Sequence, residues 1–144
     1  MKNGNVAIIL DANVWLSLVI GGKLVWLDNV IIHKTIRLVF DAALVEEVRS
    51  VMRRPKFKKY FNYYEASEYY ESLVKAGEVF LTTQVNTICR DRKDNYLLDL
   101  IEKSNSDFLV TGDEDLLVIK EFKTAKIVSP ADFEKIITKL PKQP

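Results

Sequence analysis

Aspartate and glutamate are the residues in this chain whose types and spacing could do chemistry. Asp11 ends the apolar run Val6-Ala7-Ile8-Ile9-Leu10, and Asp113 follows Phe108-Leu109-Val110-Thr111 through a single glycine. Glu46 and Glu47 stand in a helical pattern, while Asp91 and Asp94 open another, three residues apart. An ionised carboxylate at the end of a buried strand is costly unless something pairs with it. Asp11 is therefore either the cap of the helix that follows or one wall of a cation site. Capping accounts for several of the others taken singly. Asp91 and Asp94 fit a capping box, and Asp113 fits the cap of a helix starting at Glu114. Glu46 and Glu47 fit a solvated helix face.

Elimination narrows the chemistry. His33 is the only histidine and Cys89 the only cysteine, so sites built from several histidines or paired thiols are excluded. Gly21-Gly22 does not make a phosphate loop, and no nucleophile motif lies near His33. What remains is carboxylate chemistry, with or without a hard metal ion. The 21 basic and 20 acidic residues leave a net charge of +1, so any polyanion-binding surface must be local. One cysteine permits no disulfide within the chain and suits a reducing compartment. No apolar run approaches the ~18–20 residues that cross a bilayer, and the run before Asp11 is too short for a signal-peptide core. The expectation is a cytoplasmic protein that does not enter a membrane.

The elements that must position these acids follow from pattern. Continuous apolar runs predict strands over 6–10, 37–40, 78–82, 107–111 and 126–128. Between them, helical spacing predicts helices over about 13–20, 23–34, 42–54, 64–76, 91–104 and 114–120, with a loop over 84–92. Gly21-Gly22, Arg53-Arg54-Pro55 and Gly77 stop helices, and Asp41 caps one. Ser129-Pro130 starts the last helix, before a tail that frays over 138–144. No repeat or linker divides the 144 residues, so the expectation is a single domain. Strands alternating with helices predict a three-layer α/β/α fold around a parallel sheet of about four to five strands. In such a sheet Asp11 and Asp113 share the carboxyl edge, where ligands bind. The helix carrying Glu46 and Glu47 begins at that edge. Asp91 and Asp94 precede a strand, so they reach the edge only if the loop before them folds over it.

Taken together, five segments resemble the PIN-domain nucleases in order and spacing. They are Ile9-Leu10-Asp11-Ala12-Asn13-Val14; Glu46-Glu47-Val48 with Arg53-Arg54-Pro55-Lys56-Phe57; Cys89-Arg90-Asp91-Arg92-Lys93-Asp94; Leu109-Val110-Thr111-Gly112-Asp113-Glu114-Asp115-Leu116; and Ile127-Val128-Ser129-Pro130-Ala131-Asp132-Phe133. The likeness runs from about residue 6 to 137 and is greatest to the branch of toxins from toxin–antitoxin systems. It implies an acidic catalytic cluster of Asp11, Glu47, Asp94 and Asp113, with Asp11, Asp94 and Asp113 as metal ligands. Glu47 is preferred to Glu46 because the acid of the family directly precedes an apolar residue, here Val48. Asn13, Thr111 and Asp115 take supporting places. Ala12 stands where the family commonly has threonine, a departure that removes no acid.

The resemblance further implies a Mg²⁺- or Mn²⁺-dependent endoribonuclease. Clustered carboxylates repel one another by several kcal/mol even at an effective dielectric of ~20, and all-oxygen donors select hard dications. Arg53, Arg54, Lys56, Lys58 and Lys59 interleave with Phe57, Tyr60, Phe61, Tyr63 and Tyr64, a local pattern suited to RNA. The same stretch also fits a homodimer interface. An antitoxin protein is the further partner that the toxin branch implies. Two rivals stand against this reading. A phosphatase-like hydrolase needs Asp-x-Asp after the first strand, where this chain has Asp11 and Asn13. A degenerate PIN domain would bind RNA or protein without cutting.

Overall fold

The structure is a computed structural model that describes residues 5–82 and 95–140. In chain order it contains β1 (Val6–Leu10), α1 (Ala12–Ile20), α2 (Leu24–Lys34), β2 (Ile36–Asp41) and α3 (Ala42–Met52). A 3-10 turn (Pro55–Phe57), α4 (Tyr63–Ala76), β3 (Glu78–Phe80), α5 (Asn95–Ser104) and β4 (Phe108–Val110) follow. The chain then forms α6 (Glu114–Leu117), β5 (Glu121–Phe122), β6 (Ala125–Val128) and α7 (Pro130–Lys139). The six strands form one sheet in the order β3-β2-β1-β4-β6-β5, parallel except for β5 against β6. This is the expected α/β/α fold.

β1 is central because every one of its residues is apolar and buried. Val6 pairs with Ile36 on one side, and Leu10 pairs with Val110 on the other. From β1 the chain builds outward through β2 to β3. It then returns to β4 on the opposite side of β1. The reversal makes the β1–β4 boundary the topological switch point, whose carboxyl end is the usual crevice for ligands in open α/β sheets.

An aromatic wedge locks helices onto β2. Trp15 of α1 stacks on Phe40 with centroids 5.4 Å apart and meets Tyr70 of α4 edge-on at 5.2 Å. The Tyr70 hydroxyl donates to the Val45 carbonyl of α3 at 3.3 Å, so three helices meet over one strand. Gly77 lets α4 pass close to that strand. A Cβ there would lie 2.8 Å from the Leu38 carbonyl oxygen and 2.9 Å from the Phe40 ring. α1 and α2 are apolar together but bend by 114° at their junction, and no single helix among the described residues is long and apolar enough to cross a membrane.

Several local expectations change. The strand expected over 78–82 ends at Phe80, because Thr82 turns its N–H (3.1 Å) and hydroxyl (2.6 Å) onto Asp41 Oδ2. The helix expected over 114–120 ends at Leu117, and β5 follows as a sixth strand of two residues. The single glycine before Asp113, Gly112, is not required by its backbone. Its backbone is not left-handed, and a Cβ there would meet nothing within 4 Å. α7 stays helical through Lys139, past the point where fraying was expected. The loop over 84–92, and Asp91 and Asp94 with it, lie outside the described residues.

Candidate functional site

β1 delivers Asp11 to the carboxyl edge at the switch point. Its backbone begins α1, yet its side chain makes no capping hydrogen bond. The Thr111 hydroxyl instead donates to Asp11 Oδ2 at 2.7 Å. Asp11 is only 8% exposed and Thr111 is fully buried. The other caps behave differently. Asp41 accepts from the Ala43 N–H at 2.7 Å, and Asp113 accepts from the Asp115 N–H at 2.9 Å. Of these aspartates, Asp11 is the one whose position the cap reading does not explain.

Burial pushes the Asp11 carboxyl above its ordinary range. The Thr111 hydrogen bond and the Ala12 N–H pull it back, and the charge of Asp113 pushes it further up. Asp113 is half-buried at the start of α6, and its own N–H donates to Thr111 Oγ1 at 3.1 Å. One hydroxyl thus ties together the ends of β1 and β4. Register alone places these groups side by side, since Leu10 and Val110 are partners.

Glu46 and Glu47 are both exposed on α3, but they face different partners. Glu46 pairs with Arg49 on its own helix. Glu47 accepts from the Tyr96 hydroxyl of α5 at 3.3 Å. Burial raises the Tyr96 phenol well above its usual range, and the charges of Glu47, Asp11 and Asp41 raise it further. Those three carboxylates therefore share the neighbourhood of one phenol. Asn13 is exposed in the first turn of α1, and Asp115 is half-buried in α6. Arg53, Arg54, Lys56, Lys58 and Lys59 are all exposed beyond the far end of α3. Lys56 lies 5.1 Å from the Phe57 ring centre, and Lys59 lies 5.2 Å from that of Tyr60.

Two residues of this neighbourhood were not singled out for it by sequence. Asp41 ends buried β2 as Asp11 ends buried β1, so the same strand-then-acid signal was present in Val39-Phe40-Asp41. Its carboxylate is committed to Ala43 and Thr82. Tyr96 carried no signal, because its role depends on α5 lying near α3.

Oxygen donors dominate this edge, and the strain on Asp11 is of a kind that a hard cation relieves. Asp11 and Asp113 offer oxygen donors of the kind a divalent ion takes. Among the described residues, no group of three or more His, Cys, Asp or Glu side chains is arranged to hold a metal.

A parallel sheet with Asp11 and Asp113 at the carboxyl end of its switch point defines a doubly wound α/β domain with an acidic edge. The profile described as PIN domain matches residues 7–115, and the chain belongs to that family, whose fold is a nuclease fold. The crystal structure of PAE2754 from Pyrobaculum aerophilum superposes with a TM-score of 0.60 at 15% identity, covering 95% of this chain and 94% of that one. The similarity is one of fold. No curated protein matches the sequence.

Proposed function

We propose that this chain is a Mg²⁺- or Mn²⁺-dependent endoribonuclease. The observation that carries the reading is Asp11, a buried carboxylate not used as a cap, fixed by Thr111 and strained by Asp113. A fold that needed only a helix start there would gain by replacing it. Asp11, Asp113 and Asp94 would supply oxygen ligands to the ion. Such an ion, when bound, activates a water as nucleophile and offsets charge building on the phosphate. Thr111 fixes the Asp11 carboxylate through Oδ2, and Glu47 would orient the attacking water and accept its proton.

The RNA strand would leave this edge along α3. Arg53 lies six residues beyond Glu47, about 9 Å along a helix. A cleft of 570 Å³ lined by Arg53, Lys58, Phe61, Asn62, Tyr63 and Tyr64 opens there. Its cations suit phosphates, and Tyr64, 81% exposed, suits base stacking. On this reading the protein is a cytoplasmic toxin, with an antitoxin protein and a second copy of the chain as partners.

The test is cleavage of a single-stranded RNA with Mg²⁺ or Mn²⁺, repeated with EDTA and with Asp11→Asn. Activity should vanish in both controls. Equal cleavage in all three overturns the metal mechanism. RNA bound but left intact by the wild-type chain would favour the degenerate binding module.

A further inference from the structure

We infer that Tyr96 is a positioning residue for Glu47, holding its carboxylate at the acidic edge by a hydrogen bond from another helix. The inference rests on the proposed role of Glu47 and deepens it. Glu47 is exposed on α3, and a free glutamate side chain samples many rotamers. Nothing in α3 itself would fix it, because its neighbour Arg49 is engaged by Glu46 and Glu71. Tyr96 can do so because it stands on a rigid base. It is the second residue of α5, whose Leu97, Leu98, Leu100 and Ile101 are all fully buried.

That helix packs on β2 and β3, so the ring is carried by the core of the domain. The hydroxyl reaches Glu47 Oε2 at 3.3 Å. A phenol donates one hydrogen bond and carries no charge at neutral pH, so it can restrain a carboxylate without neutralising it. A lysine in its place would pair with the acids and remove the negative potential that a dication needs. A functional group held by a packed second element is better placed than one on an exposed side chain alone.

The experiment is Tyr96→Phe, which keeps the ring and its packing. It is read by the crystal structures of both proteins and by kcat and KM in the wild-type and Glu47→Gln backgrounds. Tyr96→Phe should release the Glu47 carboxylate from its wild-type position. It should lower kcat about tenfold, the order for losing one hydrogen bond to a charged group, with KM and Tm unchanged. In the Glu47→Gln background the same change should have no effect on the residual rate. An unmoved Glu47 carboxylate, or an equal loss in both backgrounds, overturns the inference. A wild-type chain that cuts no RNA sinks the proposed function instead, and the Glu47 position still decides the structural part.

Discussion

Thr111 donates its hydroxyl hydrogen to Asp11 Oδ2 at 2.7 Å across the boundary between β1 and β4. The same oxygen accepts the Asp113 N–H at 3.1 Å, so both strand ends depend on it. Thr111→Val keeps the shape and removes the donor and the acceptor together. Leaving buried polar groups without partners costs about 1–3 kcal/mol. Thr111→Val should therefore lower stability by that order and RNA cleavage by tenfold or more, while Thr111→Ser keeps most of both. Denaturant melts beside cleavage rates check it, and wild-type behaviour of the valine variant would refute the link.

Asp11 gives stability a pH dependence of definite sign. Its folded carboxyl lies above the ordinary value of 3.8, from burial first and from Asp113 in addition. Below 3.8 the group is protonated whether the chain is folded or not, and it costs nothing. As pH rises, the unfolded chain ionises first, and the folded chain then loses stability until its own raised value is passed. Asp11→Asn removes that loss. At pH 7 in EDTA the Asn variant should melt above wild type by about 2–4 °C per kcal/mol relieved. The gap should close as pH falls toward 3.8. Adding Mg²⁺ should raise the wild-type Tm and leave the variant where it was. A gap that is constant with pH would refute the assignment.

The sheet was legible because its central strand is five apolar residues long and ends in an acid. Pattern alone therefore set the β1, β2, β4 and β6 positions, and with them the common edge of Asp11 and Asp113. β5 was not legible. It is two residues long, and its flanking turns use Lys120 and Lys123 at positive φ, where no glycine or asparagine marks them. The second partner of Asp41, Thr82, and the hold of Tyr96 on Glu47 arise from tertiary neighbours, which no local pattern records. Glycines differ in weight with what surrounds them, and this can be measured.

Gly77→Ala would push a Cβ against the Leu38 backbone oxygen and the Phe40 ring. Neither yields without moving the strand or the aromatic wedge, and overpacking of this kind costs about 1–3 kcal/mol. Gly112→Ala faces open space in a backbone that alanine can adopt. It should change stability by less than about 0.5 kcal/mol, and Asp113 should keep its cap on α6. Urea melts of the two variants decide the point. Similar losses at both sites would mean that Gly112 is as constrained as Gly77.

Glu46 and Glu47 offer the closest internal control on the site. Glu46 pairs with Arg49 at an exposed position, and Glu71 still holds Arg49 through Nε at 2.8 Å and Nη2 at 2.6 Å when Glu46 is changed. Exposed pairs of this kind contribute about 0–1 kcal/mol, so Glu46→Gln should leave folding and cleavage near wild type. Glu47→Gln keeps an oxygen to accept from Tyr96 while removing the charge. If Glu47 accepts a proton from the attacking water, the rate should fall by about 10²–10⁴, with Tm almost unchanged because the residue is exposed. Cleavage assays on the two single variants separate charge at the site from charge on the helix. Equal rates for both would place Glu47 on the solvated face with its neighbour.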